Sequence, residues 1–319
     1  MWRALLVLTA GAALVAPASG ASVRPVRIIR IEYRAHDGVE RPAYVVVPRW
    51  YDAGDGPLAL VISPHGRGVP ALDNAAHWGP LPALGRFAVV NPDGQGRRLS
   101  LYSWGDPGQI ADLARMPSIV HRALPWLRIG RVYAVGGSMG GQETLLLAAR
   151  YPRLLSGAVA FDAPTNMSLR YRDFARLRHG RLLQRLALEE IGAPPNGDPT
   201  AWRARSPLVD AARLAASRVP LQLWWSPADN VVRDAEREDG TLYRRLYDLG
   251  ANVTGVVGCW GHTAELHPWS GLPWALSMLG LLPRSTARSV GWSWEHRFRV
   301  LQGEGVPVLA CGNSRPLRV

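Results

Sequence analysis

The chain has 319 residues and carries 37 basic against 25 acidic side chains, a formal charge of +12, and every one of its non-histidine cations is arginine. The absence of lysine excludes Schiff-base chemistry, phosphate-loop ATPases and Ser-Lys dyads, each of which needs an amine. With 47% hydrophobic and 19% charged residues, the chain can bury a sizeable core, and its length suits one α/β domain.

Arg3, the uncharged apolar run Ala4–Ala16 and the small residues Pro17–Ala21 read as a secretory signal peptide over residues 1–21. That run is shorter than the roughly 20 residues needed to span a bilayer, and no later run is long and apolar enough to do so. The expectation is therefore an exported, extracytoplasmic protein without a transmembrane segment.

Next come two β-rich runs, Val26–Tyr33 and Ala43–Val47, joined through the turn dipeptide Asp37-Gly38. From there the pattern changes. Continuous apolar runs at Leu58–Ser63, Phe87–Asn91, Arg131–Val135, Gly157–Phe161, Pro220–Trp225 and Asn252–Val257 have the character of strands buried on both faces. Helical patterns at Gln109–Leu127, Gln142–Tyr151, Arg233–Leu249 and Pro268–Leu281 separate several of them. This alternation predicts an α/β fold with a mostly parallel sheet, helices on both faces, and active groups on loops at the carboxyl ends of the strands. Residues 22–283 read as a single domain, 167–216 as a helical cap insertion within it, and 284–319 as an irregular C-terminal tail.

The strongest local signal is Gly136-Gly137-Ser138-Met139-Gly140, a G-x-S-x-G segment between a strand and a helix. A serine on so sharp a turn has strained backbone angles and close neighbours, so the flanking positions require glycine. Ser138 is the predicted nucleophile, and the Met139 N–H at the helix start faces where an oxyanion would form. A serine needs a base, and the base an orienting carboxylate. Asp229 follows the strand Pro220–Trp225 and His262 follows Asn252–Val257, the positions at which the order Ser, acid, His calls for them. His267 is the rival base but precedes Pro268 at a helix start, and Asp234 and Asp239 read as first-turn and surface residues of the next helix. The loop Ser63–Gly68 should supply the second oxyanion donor from the N–H of Gly66 or Arg67, with His65 hydrogen-bonded beneath it.

These residues resemble the α/β-hydrolase fold, and more narrowly the catalytic domain of the prolyl oligopeptidase family and related secreted esterases. The segments that carry the resemblance are Gly136–Gly141, Tyr151-Pro152, His65-Gly66, Asn91-Pro92-Asp93, Ser206-Pro207 and Gly261-His262, spanning roughly Leu58 to Leu282. The resemblance implies the same Ser138, Asp229, His262 triad. Two departures bear on substrate: the residues before Leu58 are too few for a propeller domain, and Trp225-Ser226 stands where relatives often have His-Gly. Asp93–Gly96 and Tyr102–Trp104 are similar to secreted esterases.

Trp78, Trp104, Trp225 and Trp260 fall on loops predicted at the catalytic edge, and the last three are the candidates for an apolar pocket. Cys259 and Cys311 lack metal-ligand spacing; in an exported protein they are either a disulfide pair or two buried thiols. No metal or organic cofactor is implied, and no nucleic-acid motif accompanies the arginines. The reading is a secreted serine hydrolase, carboxylic ester first and peptide second, with a non-catalytic polyanion-binding protein as the remoter alternative.

Overall fold

The computed structural model describes residues 25–291, 298–303, 305, 309 and 311; the leader read over residues 1–21 lies outside them. Nine strands form one sheet: β1 (Val26–Arg34), β2 (Glu40–Pro48), β3 (Leu58–Ile62), β4 (Phe87–Pro92), β5 (Ile129–Gly137), β6 (Ala158–Phe161), β7 (Leu221–Trp225), β8 (Val253–Gly258) and β9 (Phe298–Leu301). Their spatial order is β1-β2-β4-β3-β5-β6-β7-β8-β9. The hairpin β1–β2, the β2–β4 pair and the β8–β9 pair are antiparallel, whereas all neighbours from β4 through β8 are parallel.

Side chains alternate between the two faces of a strand, and the parallel strands use both. On β3, Leu58, Leu60 and Ile62 enter one core while Val61 enters the other. Likewise Ala88 and Val90 oppose Phe87 and Val89 on β4, and Ala158 and Ala160 oppose Val159 and Phe161 on β6. Both faces must then be covered, which is why these strands are continuously apolar rather than alternating.

The covering helices are α1 (Ala71–His77), α2 (Leu81–Gly85), α3 (Pro107–Ala123), α4 (Met139–Arg150), α5 (Met167–Phe174), α6 (Gly180–Ile191), α7 (Pro199–Arg203), α8 (Ala211–Ser217), α9 (Thr241–Asp248), α10 (Leu272–Met278) and α11 (Arg284–Val290). Among the described residues no helix is long and apolar enough to cross a membrane.

Two expectations differ from this architecture. The stretch read as an irregular tail carries α11 and the edge strand β9, which pairs Leu301 with Gly255 and Phe298 with Gly258; four residues without alternation offer too short a pattern to read. Part of the stretch read as a cap belongs to the body, because α8 buries Ala211 and Leu214 in the main core. Helices α5 to α7 contribute Met167, Phe174, Ala187, Ile191 and Trp202 to a separate cluster with Trp104 and Met139.

Candidate active site

Ser138 sits between β5 and α4 with φ 55° and ψ −126°, a conformation that a side chain rarely adopts. The turn closes because its neighbours lack side chains. A Cβ on Gly136 would lie 2.4 Å from the Gly140 carbonyl oxygen, and one on Gly140 would lie 2.2 Å from that of Pro64. The second contact also presses the loop Ser63–Gly68 directly against the start of α4. Ser138 N–H donates to Phe161 O at 2.8 Å, fastening the turn to β6. Met139 N–H, as the first in α4, has no carbonyl four residues back to bond and projects from the positive end of the helix.

The loop Ser63–Gly68 is held from below. Both ring nitrogens of His65 lie 2.8 Å from carbonyl oxygens, Nδ1 from Gly66 and Nε2 from Gly94. Asn74 Nδ2 donates to Ser63 O at 2.9 Å, and Trp78 Nε1 donates to Ser63 Oγ at 3.2 Å.

Asp229 and His262 meet at the ends of β7 and β8, with Asp229 Oδ2 2.7 Å from His262 Nδ1. The other carboxylate oxygen, Oδ1, accepts the backbone N–H groups of Val231 at 2.7 Å and Val232 at 2.9 Å. A carboxylate engaged in this way is an acceptor only, so His262 Nδ1 carries its proton and Nε2 keeps its lone pair. Ser226 bridges the two loops: its Oγ accepts Ala228 N–H at 3.0 Å and Trp260 N–H at 2.9 Å. The rival base His267 is elsewhere, stacked on Trp269 with its ring 4.6 Å from that of His77.

A second carboxylate was not singled out in the sequence. Asp162, just past β6, is fully buried and accepts Thr263 N–H at 2.8 Å and Trp260 Nε1–H at 3.2 Å. Oxygens of Asp162 and Asp229 and a ring nitrogen of His262 lie within 4.8 Å of one another. Burial and then the charge of Asp229 push the Asp162 carboxyl well above the usual carboxylate range. Among the described residues this is the cluster with metal-ligand spacing, and oxygens of both carboxyls already accept N–H groups. The available signal was an Asp at a strand end, the same signal that located Asp229.

Asp239 also differs from expectation. Rather than lying on the surface it is fully buried, on a π-helical turn Glu236–Gly240, and burial pushes its carboxyl well up. Asp234 is exposed and pairs with Arg176 at 3.2 Å.

The recess beside Ser138 is lined by Arg67, Trp104, Met139, Pro164, Arg170, Phe174, Val231 and Val232, with about 10 Å³ of free space, room for one water. Of the three tryptophans expected here, only Trp104 lines it. Trp225 is in the main core against Tyr243, and Trp260 packs near Trp224 in the opposite core. Trp78, the other edge candidate, packs on Phe87. Trp225 turns inward against Gly255, where an added Cβ would lie 3.1 Å from its ring. Trp104 is fixed by its N–H to Met139 Sδ at 3.3 Å and by Gln142 Nε2 donating to its carbonyl at 3.1 Å.

Beyond β8, Cys259 forms a disulfide with Cys311, 52 residues away, which fastens the C-terminal segment three residues from His262.

No protein-family model matches this chain, and no curated protein matches it. Solved structures do. The Pyrococcus horikoshii acylaminoacyl peptidase superposes with a TM-score of 0.57 at 18% identity, over 75% of this chain and 38% of that one. A putative dipeptidyl aminopeptidase IV from Bacteroides ovatus gives 0.61 at 16% identity, over 76% and 34%. A variant of esterase rPPE gives 0.58 at 18% identity, over 84% and 81%. The chain thus spans little more than a third of the two peptidases. The likeness is one of fold, the α/β-hydrolase fold.

Proposed function

We propose that the protein is a serine hydrolase acting through an acyl-enzyme, with Ser138 as nucleophile, His262 as base and Asp229 as the residue that orients it. The observation that carries this reading is the 2.7 Å contact between His262 Nδ1 and Asp229 on the sheet edge that also holds the strained Ser138. With Nδ1 donating to Asp229, His262 Nε2 takes the Ser138 proton as Oγ attacks a carbonyl carbon. The N–H groups of Met139 and of Gly66 or Arg67 hold the oxyanion, and His262 returns the proton to the leaving group. Water, activated by the same imidazole, then releases the acyl group.

A carboxylic ester is the preferred substrate. The esterase among the similar structures corresponds to this chain over 81% of its length, whereas both peptidases carry most of their mass outside the shared part. Peptide hydrolysis by the same groups is the second reading, supported by the folds of those two peptidases. The apolar run Ala4–Ala16 and the disulfide support an exported protein.

The decisive experiment is labelling with a fluorophosphonate probe. Wild type labels and Ser138→Ala does not; an unlabelled wild type, or label that survives in Ser138→Ala, rejects the reading. Turnover of short acyl nitrophenyl esters against aminoacyl or prolyl amides ranks the substrates, and a preference for amides puts peptide hydrolysis first.

A further inference from the structure

Arg67 and Arg170 line the same narrow recess as Ser138. Arg170 is only 4% exposed, its Nη1 has no hydrogen-bond partner, and its guanidinium lies 4.8 Å from the centre of the Phe174 ring. No ion pair joins either arginine to a carboxylate among the described residues. Glu238, Asp229 and Asp173 all act on Arg170 electrostatically, but none forms an ion pair with it; Glu238 Oε2 accepts the N–H groups of Thr165 and Asn166, and its Oε1 has no hydrogen-bond partner.

Arg205 is the instructive contrast. It is buried to the same degree, 5% exposed, yet its guanidinium is fully used: it pairs with Asp106 at 2.9 Å, approaches Glu190 at 3.7 Å and donates to the carbonyl of Ser103. Burying a guanidinium that makes no direct ion pair is unfavourable, and Arg67 and Arg170 facing one recess also repel each other.

We propose that Arg67 and Arg170 grip a carboxylate carried by the acyl part of the substrate, so that the enzyme prefers esters of short dicarboxylic acids. This rests on the hydrolase reading above. A planar carboxylate matches the guanidinium fork. The remaining walls, Trp104, Phe174, Val231 and Val232, suit a short aliphatic arm between that carboxylate and the scissile carbonyl. The net charge of +12 favours the approach of such an anion. Arg67 is partly exposed, so its side chain can swing to admit the group.

The test compares kcat/KM for monomethyl glutarate and methyl 5-methylhexanoate, in which an isopropyl group replaces the carboxylate. Wild type prefers the anionic ester by roughly tenfold or more. Arg67→Gln and Arg170→Gln each abolish most of that preference, mainly through KM, and Arg170→Lys keeps part of it. A wild type without preference for the anionic ester, or both glutamine variants retaining the wild-type ratio, overturns the proposal.

Binding of glutarate to Ser138→Ala, followed by calorimetry against glutaramide as the neutral control, gives a readout independent of turnover. Saturable binding lost on adding Arg170→Gln supports the grip, and equal binding of the two compounds overturns it. Fluorophosphonate labelling separates the two levels. Labelled Ser138 without anion preference removes only the carboxylate grip, whereas an unlabelled protein whose glutarate binding depends on Arg170 keeps the grip and removes the hydrolase.

Discussion

The carboxyl of Asp162 accepts the backbone N–H of Thr263 at 2.8 Å, so the residue next to His262 is tied to the end of β6 rather than to the acid loop. The same carboxyl takes the indole N–H of Trp260, two residues on the other side of His262. Asp229 thus contacts the imidazole while Asp162 fixes the backbone that carries it. Asp162→Asn retains the shape but loses one acceptor. A hydrogen bond to an uncharged group is worth about 0.5–1.5 kcal/mol, so kcat falls by roughly twofold to tenfold with little change in KM. Steady-state kinetics on a neutral ester checks this; an unchanged kcat removes the positioning role.

Asp229→Asn leaves the loop in place, because Oδ1 can still accept from Val231 and Val232, but places an amide or a bare carbonyl opposite His262 Nδ1. The imidazole then loses its tautomer control, and kcat drops by about 10⁴, with stability nearly preserved. Parallel measurement of turnover and thermal unfolding tests both halves of that statement.

Burial pushes the carboxyls of Glu143 and Glu238 up to about 7. Between the ordinary carboxyl range and about 7, the folded protein holds protons that the unfolded chain has released. Stability is therefore greatest in mild acid and falls as pH rises through that window, levelling off above it. The melting temperature at pH 5 exceeds that at pH 8 by several degrees, about 2–4 °C for each kcal/mol in a chain of this size or somewhat smaller. Glu238→Gln, which keeps an acceptor for the Thr165 and Asn166 N–H groups, reduces the difference. A melting temperature that rises from pH 5 to pH 8 contradicts the assignment.

The Cys259–Cys311 bridge closes a loop of 52 residues, for which chain entropy gives roughly 4 kcal/mol. Cys311→Ser lowers the unfolding free energy by about 2–4 kcal/mol. Because Cys259 lies three residues before His262, it also lowers kcat. Denaturant unfolding and turnover of the variant, each compared with wild type, provide the measurement.

Much of this protein was legible in its sequence for local reasons. Runs buried on both faces must be continuously apolar, which located the six parallel strands from β3 to β8. A serine on a tight strand-to-helix turn must have glycine neighbours, which marked Ser138. Strand ends then located Asp229 and His262, because the chain order of the elements sets which loops share an edge. The absence of lysine leaves histidine as the candidate base.

What only the tertiary structure decided depends on distances between segments far apart in the chain. Whether a tryptophan at a strand end faces the recess or the core depends on which neighbours leave room, and Trp225 and Trp260 turned inward while Trp104 did not. Asp162 is close to His262 because β6 ends beside β7, a juxtaposition invisible in one strand's composition. Asp239 lies buried on a π-helical turn, a local geometry that composition does not mark. Arg67 and Arg170, about a hundred residues apart and unremarkable among 37 cations, converge on Ser138 through packing alone. Charge can be counted along a chain, but whether a particular charge forms an ion pair is decided only where the chain folds back on itself.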